Sequence, residues 1–309
     1  MFLLNRNGYG SNFNKLWIDT INKKIKKECT NEYGKNKIDK EILFLKYIVN
    51  NKINFKIPKI YIFEHNGYMM EYLQDYVPLF KVYQNFHNKK KDKVKNKIYE
   101  ELTNLHNHSR IYVSKEEYIN NLLIEIEKKL YERYESIKLI TNNYKYIKKI
   151  NNMEYISFEV LLEKIKKDIL SKVNDFDKYY FVPIHGDCQF NNILINENDD
   201  IIFIDPRGYY GNQNIFGIPE YDFAKVLFAL SGYDEFDNSD VNSLTILNDN
   251  INIKVNFLDD NILNNNKIPT LLMLSIWLGN ASCFINNENK MITSYFISLY
   301  LGTLYYKKQ

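Results

Sequence analysis

The segment FVPIHGDCQFNNILINENDDIIFIDPRGYYG, Phe181 to Gly211, restricts the fold more than any other part of the chain. With the two tyrosines before it, it holds three short apolar runs, YYFVPI, ILI and IIFI. Runs this short, rich in β-branched and aromatic residues and bounded by turn residues, read as buried strands. HGDCQFNN is a loop between the first and second, and the NENDD turn makes the second and third a hairpin. A turn centred between Asn198 and Asp199 pairs Ile195 with Ile202, Leu194 with Phe203, Ile193 with Ile204 and Asn192 with Asp205. Directly opposed residues have Cβ atoms roughly 4.5 to 5.5 Å apart. The expected register therefore brings a carboxamide and a carboxylate together at the open end of the hairpin.

Two hard oxygen donors at that spacing suit Mg²⁺, which takes few protein oxygens and completes its octahedron with water and substrate phosphates. Asp187, on the loop before Asn192, falls beside such an ion without needing to ligate it. An Asp there can orient an acceptor hydroxyl and take its proton. His185, at the exit of a buried strand, is better placed to brace the loop. A plain acidic hairpin accounts for Asn196 to Asp200, but gives no reason for His-Gly-Asp before it or for an Asp closing an apolar strand.

These residues resemble the aminoglycoside phosphotransferase and choline kinase-like group of small-molecule kinases, distant relatives of protein kinases. The group's HxDxxxxN signature matches His185, Asp187 and Asn192, and its metal-binding Asp after the next hairpin matches Asp205 in IIFIDPRG. GIPEYDFAKVLFAL is similar to its Gly-x-Pro-x-x-Asp-Leu-Ala helix start, with Asp222 at the acidic position. The resemblance implies an ATP- and Mg²⁺-dependent phosphotransferase in which Asp187 is the catalytic base, Asn192 and Asp205 bind magnesium, and His185 and Asp222 brace the loop. It also implies an α+β, two-lobed protein-kinase-like fold, with a small β-rich N-lobe carrying one helix and a larger, mainly helical C-lobe.

The pattern along the chain fits that division. Alternating apolar positions between Asn12 and Cys29 predict β structure, IDKEILFLKYIVN predicts a helix with Ile38, Ile42, Leu45 and Ile48 or Val49 on one face, and KIYIFEHNGYMMEYL predicts a hairpin. A nucleotide-binding lobe is expected over residues 1–75. Long amphipathic helices, about Lys91 to His108, Lys115 to Ile140 and Ser157 to Val173, open a catalytic and substrate-binding lobe over 76–309. The Asn/Asp-rich insert from Asn238 to Asn266 reads as a surface excursion.

Kinases of the resembled fold need a strand Lys on the nucleotide phosphates and a helix Glu paired with it. In NKKIKKEC the choice falls on Lys27, because Ile25 shares its strand face and would pack on the adenine; Lys23 and Lys26 stay open. Glu41 is the helix carboxylate. Met70, Glu71 and Tyr72 in MMEYL would offer hinge backbone to the adenine edge, and the NGYGSN turn is either a phosphate cover or an ordinary turn. His106, in LTNLHNHS, resembles a packed residue at a helix end of the group.

The sequence departs from the group where Pro-Arg-Gly follows Asp205. An IDPRG form followed by an SGYDEF-like segment resembles kinase-like phosphotransferases of surface polysaccharide synthesis. Arg207 is then within reach of a phosphate or an anionic acceptor, or else is ion-paired with Glu220, Asp222 or Asp234. A sugar or sugar derivative is the expected acceptor. Choline, ethanolamine or an aminoglycoside is the alternative, with Tyr209, Tyr210, Tyr233 and Trp277 as aromatic faces for a cation. A catalytically silent nucleotide-binding scaffold is a further reading. No Ala-Pro-Glu segment follows, which argues against protein substrates.

Composition narrows the remaining classes. Enrichment in Tyr (26) and Phe (19), with abundant Asn, Lys and Ile, fits A/T-rich codon usage, so Lys runs such as NKKKDKVKNK carry little weight and read as a solvated helix start. A net charge of +3 without a concentrated basic stripe argues against a nucleic-acid partner. Cys29, Cys188 and Cys283 form no CxxC pair, which points to reduced thiols in the cytoplasm and no structural zinc. MFLLNRNGYG is too short an apolar run for a signal peptide, and TLLMLSIWLGNASCFI and MITSYFISLYLGTLYY are shorter than a bilayer span and read as buried helices. The oligomeric state is left open.

Overall fold

The computed structural model describes residues 1–3, 13–238, 244–259, 261–264 and 267–308. The NGYGSN turn lies outside the described residues. The chain forms two compact units, residues 1–112 with 180–226 and residues 113–179 with 227–309.

The first unit opens with an antiparallel sheet of β1 (Phe2–Leu3), β2 (Asn14–Asp19), β3 (Lys24–Cys29), β4 (Ile60–Glu64) and β5 (Gly67–Glu71), in the order β1-β2-β3-β5-β4. Side chains alternate between faces of a strand, so Leu16 and Ile18 of β2 and Ile25 and Lys27 of β3 are all buried. Lys27 consequently stands in a row of core residues. Between β3 and β4, helix α1 (Glu32–Asn50) starts where the Asn31 side chain accepts from the Gly34 N–H at 2.8 Å. It buries Ile38, Glu41, Ile42, Phe44, Leu45 and Ile48, a stripe at helical spacing that places one carboxylate among apolar neighbours. Val49 is exposed.

The opening segment belongs to this same unit. Strand Tyr180–Pro183 pairs with Ile111–Tyr112 and Phe216–Gly217, and the hairpin Ile193–Ile195/Ile201–Phe203 pairs with Val77–Pro78. Phe44 of α1, Phe55, Phe203 and His185 form one aromatic cluster, with Phe55 and Phe203 centroids 4.8 Å apart and Phe44 and His185 6.0 Å apart. Apolar packing of this kind joins the helix that carries Glu41 to the loop that carries Asp187.

The Lys-rich helix start, now Asn88–His106, does more than face solvent. Lys90 and Lys93 reach the Asp199 carboxylate at 2.6 and 2.9 Å, and Lys97 reaches the Asp199 carbonyl at 2.8 Å. The turn of the hairpin is therefore clasped by the helix, while Lys93 (65%) and Asp200 (58%) stay exposed to solvent.

The second unit is mainly helical. The expected helix from Lys115 runs as Lys115–Leu123 and Lys129–Asn142 around a π-helical stretch, Ile124–Lys128. Helix Phe158–Asn174 buries Leu161, Ile165, Ile169 and Val173, and helices Ile268–Leu278 and Glu288–Lys308 carry the two apolar segments. Among the described residues no helix is long and apolar enough to cross a membrane. The 238–266 insert is more than a surface excursion: its strands Leu244–Leu247 and Asn250–Ile253 extend a sheet with Lys149–Ile150 and Met153–Glu154, and Ile251 and Ile253 are buried.

Candidate active site

The hairpin register differs by one residue from the expected one. Ile193 pairs with Phe203, Leu194 with Ile202 and Ile195 with Ile201. Asp199 adopts a left-handed conformation (φ 63°), and the Asn196 side-chain oxygen accepts from the N–H groups of Asn198 at 3.0 Å and Asp200 at 2.8 Å. The loop between Asn196 and Asp200 therefore centres on Asn198, a three-residue connection closed by a left-handed residue. Asn192 lies against Ile204, whose N–H donates to the Asn192 carbonyl at 2.9 Å, and Asp205 follows one step beyond.

Asp205 itself is left-handed (φ 56°), a strained choice for a non-glycine residue. Gly208, also left-handed (φ 71°), lets the chain run close to α1: a Cβ there would lie 2.1 Å from the Lys40 carbonyl oxygen. That approach carries the IDPRG segment past the residue preceding Glu41.

Lys27 Nζ lies 2.9 and 2.8 Å from the two Glu41 oxygens and 3.0 Å from Asp205 Oδ1. Burial alone would lower the Lys27 ammonium, but Asp205 and Glu41 outweigh it and hold it above the ordinary lysine value. Burial lifts the Glu41 carboxyl, with Lys27 opposing and Asp205 adding to the rise. The alternatives take other positions: Lys23 sits exposed in the β2–β3 turn, and Lys26 points to the other face and pairs with Glu64 at 2.8 Å. Tyr68, opposite Lys27 on β5, donates its hydroxyl to Glu41 Oε2 at 3.0 Å. Nothing in the sequence marks it except hairpin register.

Asp187 is held at both ends of its carboxylate. Asn192 Nδ2 donates to its Oδ2 at 2.9 Å and to its backbone carbonyl at 3.0 Å, while Lys225 Nζ lies 2.9 Å from Oδ1. Burial works against the Lys225 ammonium, but the Asp187 carboxylate raises it above its ordinary value. Lys225 was missed in the sequence, although it lies one helical turn after Asp222 in YDFAK.

Asp222 is fully buried and accepts from the N–H groups of His185 at 3.0 Å and Gly186 at 2.6 Å and from His106 Nε2 at 2.9 Å. Burial would raise its carboxyl, yet these donors, His106 foremost, keep it below the usual range. His106 is thus a partner of the loop brace as well as a packed helix residue. His185 Nε2 donates to the Ile204 carbonyl at 3.0 Å, which leaves Nδ1 to accept from the Asp187 N–H at 3.3 Å. Its burial depresses the imidazole, consistent with that neutral tautomer.

Arg207 donates from Nη1 to the Tyr221 hydroxyl at 2.7 Å, and its guanidinium lies 4.0 Å from the Tyr209 ring centroid. Tyr210 is fully buried and packs edge-on to Tyr221. In the second unit, Tyr233 stacks on Phe228 at 4.1 Å and Trp277 donates Nε1 to Ser231 Oγ at 2.7 Å. Tyr210, Tyr233 and Trp277 are therefore core residues rather than exposed aromatic faces. At the hinge segment Met70 is buried, and the N–H groups of Glu71 and Tyr72 donate to the carbonyls of Lys59 and Lys23 at 2.8 and 2.9 Å. Those two donors serve the sheet.

The donor chemistry fits a hard cation. Both protons of the Asn192 amide point to Asp187, so its carboxamide oxygen is the remaining donor. Asp205 and Glu41 both meet the Lys27 ammonium, at 3.0 and 2.8 Å, so two carboxylates stand close together there. Asp205 and Asn192 oxygens would hold Mg²⁺, which prefers few protein ligands.

No family model matches this chain, and no curated protein matches it in sequence. Solved structures do match it in fold. The aminoglycoside phosphotransferase APH(2″)-IIa in complex with gentamicin aligns over 97% of this chain and 90% of its own at 15% identity, with a TM-score of 0.54. Ethanolamine kinase from Plasmodium vivax aligns over 100% and 83% at 16% identity (TM-score 0.52), and choline kinase LicA from Streptococcus pneumoniae over 98% and 93% at 16% (TM-score 0.52). The chain has the α+β protein-kinase-like fold found in aminoglycoside phosphotransferases and choline and ethanolamine kinases.

Proposed function

We propose that this protein is an ATP- and Mg²⁺-dependent phosphotransferase that moves the γ-phosphoryl group of ATP to a hydroxyl of a small polar molecule, a sugar or sugar derivative. The observation that carries the reading is the pair of ion clusters, Lys27 with Glu41 and Asp205, and Asp187 with Asn192 and Lys225, to which one loop and hairpin contribute Asp187, Asn192 and Asp205. Lys27, oriented by Glu41 and Tyr68, serves the nucleotide phosphates. Asn192 and Asp205 would hold magnesium, which would supply neutralising charge to the nucleotide phosphates. Ile25 packs on the adenine and the Met70–Tyr72 segment lines its edge.

Asp187 accepts a hydrogen bond from the acceptor hydroxyl and takes its proton as the hydroxyl oxygen bonds to the γ-phosphorus and the bond to the ADP oxygen breaks. His185 and Asp222 fix the loop so that this carboxylate does not swing. The neighbours named above act on gentamicin, ethanolamine and choline, so an amino alcohol or aminoglycoside is the competing acceptor class. A reduced, cytoplasmic setting agrees with the free cysteines.

Asp187→Asn tests the reading in an ATP-consumption assay over sugars, amino alcohols and aminoglycosides. Turnover should fall about 10²- to 10⁴-fold with nucleotide-induced thermal stabilisation retained. Near-wild-type turnover would remove Asp187 as the base. Stabilisation that ignores magnesium and survives Asp205→Ala, with no turnover on any acceptor, would favour a silent scaffold.

A further inference from the structure

We infer that Lys225 is a positioning residue for phosphoryl transfer, acting through Asp187: it holds Oδ1 while Asn192 holds Oδ2, so the carboxylate is fixed in rotation as well as in place. This rests on the phosphotransferase reading and adds a residue to its site. Lys225 and Asp222 lie one turn apart on helix Pro219–Leu230 and so share a face. Asp222 accepts from the N–H groups of His185 and Gly186 at 3.0 and 2.6 Å, and Lys225 meets Asp187 Oδ1 at 2.9 Å. The helix thereby grips consecutive residues of the loop, the first two by their backbone and the third by its side chain. Between Asp187 and Asn192 the loop reads CQFN, with no basic residue, so the cation beside the base has to come from another element. The helix that supplies it is itself held. Ala224 and Val226 are fully buried, and the Phe223 ring packs edge-on to His106 and Tyr99, each with centroids 5.4 Å away.

A carboxylate held by one oxygen can still turn, because the terminal torsion of an Asp side chain is broad. Contacts to both oxygens remove that freedom. Asn192 Nδ2 donates to Oδ2 at 2.9 Å, and the ammonium makes a charge-assisted contact to Oδ1 at the same distance, the stronger kind of the two. The Lys225 side chain is 13% exposed and that of Asp187 29%, so the ammonium stands deeper and the carboxylate keeps the exposure that an incoming hydroxyl requires. Rotation of the base would move the proton-accepting oxygen away from the hydroxyl, and a misplacement of about 1 Å at a reacting group can cost about 10²-fold in rate.

The test uses the whole chain and follows ADP formation from Mg-ATP with the best acceptor of the screen above, or with water if none surpasses it. Lys225→Met should lower kcat about 10- to 100-fold while KM for ATP stays within about twofold. Lys225→Arg, which keeps the charge, should recover part of kcat. In the Asp187→Asn background, Lys225→Met should cost less than about threefold more, because the carboxylate it holds is gone. A loss that falls on KM for ATP, a Lys225→Arg no better than Lys225→Met, or losses that multiply fully in the double variant overturns the inference. Thermal unfolding of the same variants gives the answer where no ADP forms. A fall in Tm from Lys225→Met that shrinks by about half or more in the Asp187→Asn background supports the inference, and an undiminished fall refutes it. Failure of the phosphotransferase reading looks different: the wild type then gains no stability from Mg-nucleotide. Each variant's response to Mg-nucleotide also shows whether it folds, and Lys225→Gln replaces Lys225→Met if the latter does not.

Discussion

Lys27 and Asp205, far apart in the chain, meet at 3.0 Å, and the ammonium that joins them is also chelated by Glu41. Three elements converge there: a strand, a helix and the end of a hairpin. Only this convergence makes a buried lysine tolerable, since an ammonium removed from water needs compensating charge.

Lys27→Met should therefore be strongly destabilising, because it takes the lysine partner away from the buried Glu41 carboxylate. The expected loss is about 3 to 5 kcal/mol, measured by urea unfolding near neutral pH. Lys26→Met, whose lysine is 24% exposed and paired with Glu64, should lose no more than about 1 kcal/mol. Equal losses in the two variants would show that the triad is not an energetic centre.

Gly208→Ala tests the approach of the IDPRG segment to α1. Alanine is strained at a φ of 71°, and its Cβ would stand 2.1 Å from the Lys40 carbonyl oxygen, too close for any rotamer to relieve. A loss of about 1 to 3 kcal/mol is expected. The backbone that must shift also carries Asp205, so Mg-nucleotide stabilisation should weaken as well. A variant as stable as wild type would mean that the close approach does not form.

How far the site could be read from sequence follows from what holds each residue. His185, Asp187, Asn192 and Asp205 lie within one segment, where local spacing carries the information. The one-residue register error arose at Asp199, because a left-handed Asp looks like any other turn residue, whereas a glycine would have announced the conformation. Lys27 was separable from Lys26 by strand alternation alone. Tyr68 and Lys225 were not, since each has its role from a partner brought by tertiary packing. The lysines of the Asn88–His106 helix were discounted because the whole composition is rich in lysine, so their pairing with Asp199 left no trace in the pattern. Tyr233 and Trp277 resemble ligand-facing aromatics in sequence because only the fold packs them against Phe228.

The clasp at the hairpin turn should show as salt-dependent stability. Hydrogen bonds from Lys90 and Lys93 hold the Asp199 carboxyl below its usual range. The double variant Lys90→Gln/Lys93→Gln should lose about 1 kcal/mol at low ionic strength, and the difference should shrink by 1 M salt, where screening acts over about 3 Å. An effect that does not change with salt would assign the loss to helix propensity instead.

His185 sets a pH dependence whose sign can be worked out. Burial depresses its imidazole below the ordinary value of 6.5, against the opposing pull of Asp222 and Asp187. In the unfolded chain the ring protonates near that ordinary value, while in the folded chain it stays neutral to lower pH. Between the two, the unfolded state binds the extra proton, so stability rises with pH. The contribution is complete above 6.5 and is lost as pH falls towards the folded value. In urea unfolding from about pH 8 down to pH 5, the wild type should have a slope steeper than His185→Gln by up to about 1.4 kcal/mol per pH unit. Glutamine also removes packing against Phe44 and Phe203, which shifts the whole curve and leaves its slope alone. Parallel curves for the two proteins would show that His185 protonates as readily folded as unfolded, and the neutral ring bridging Asp187 to Ile204 would have to be abandoned.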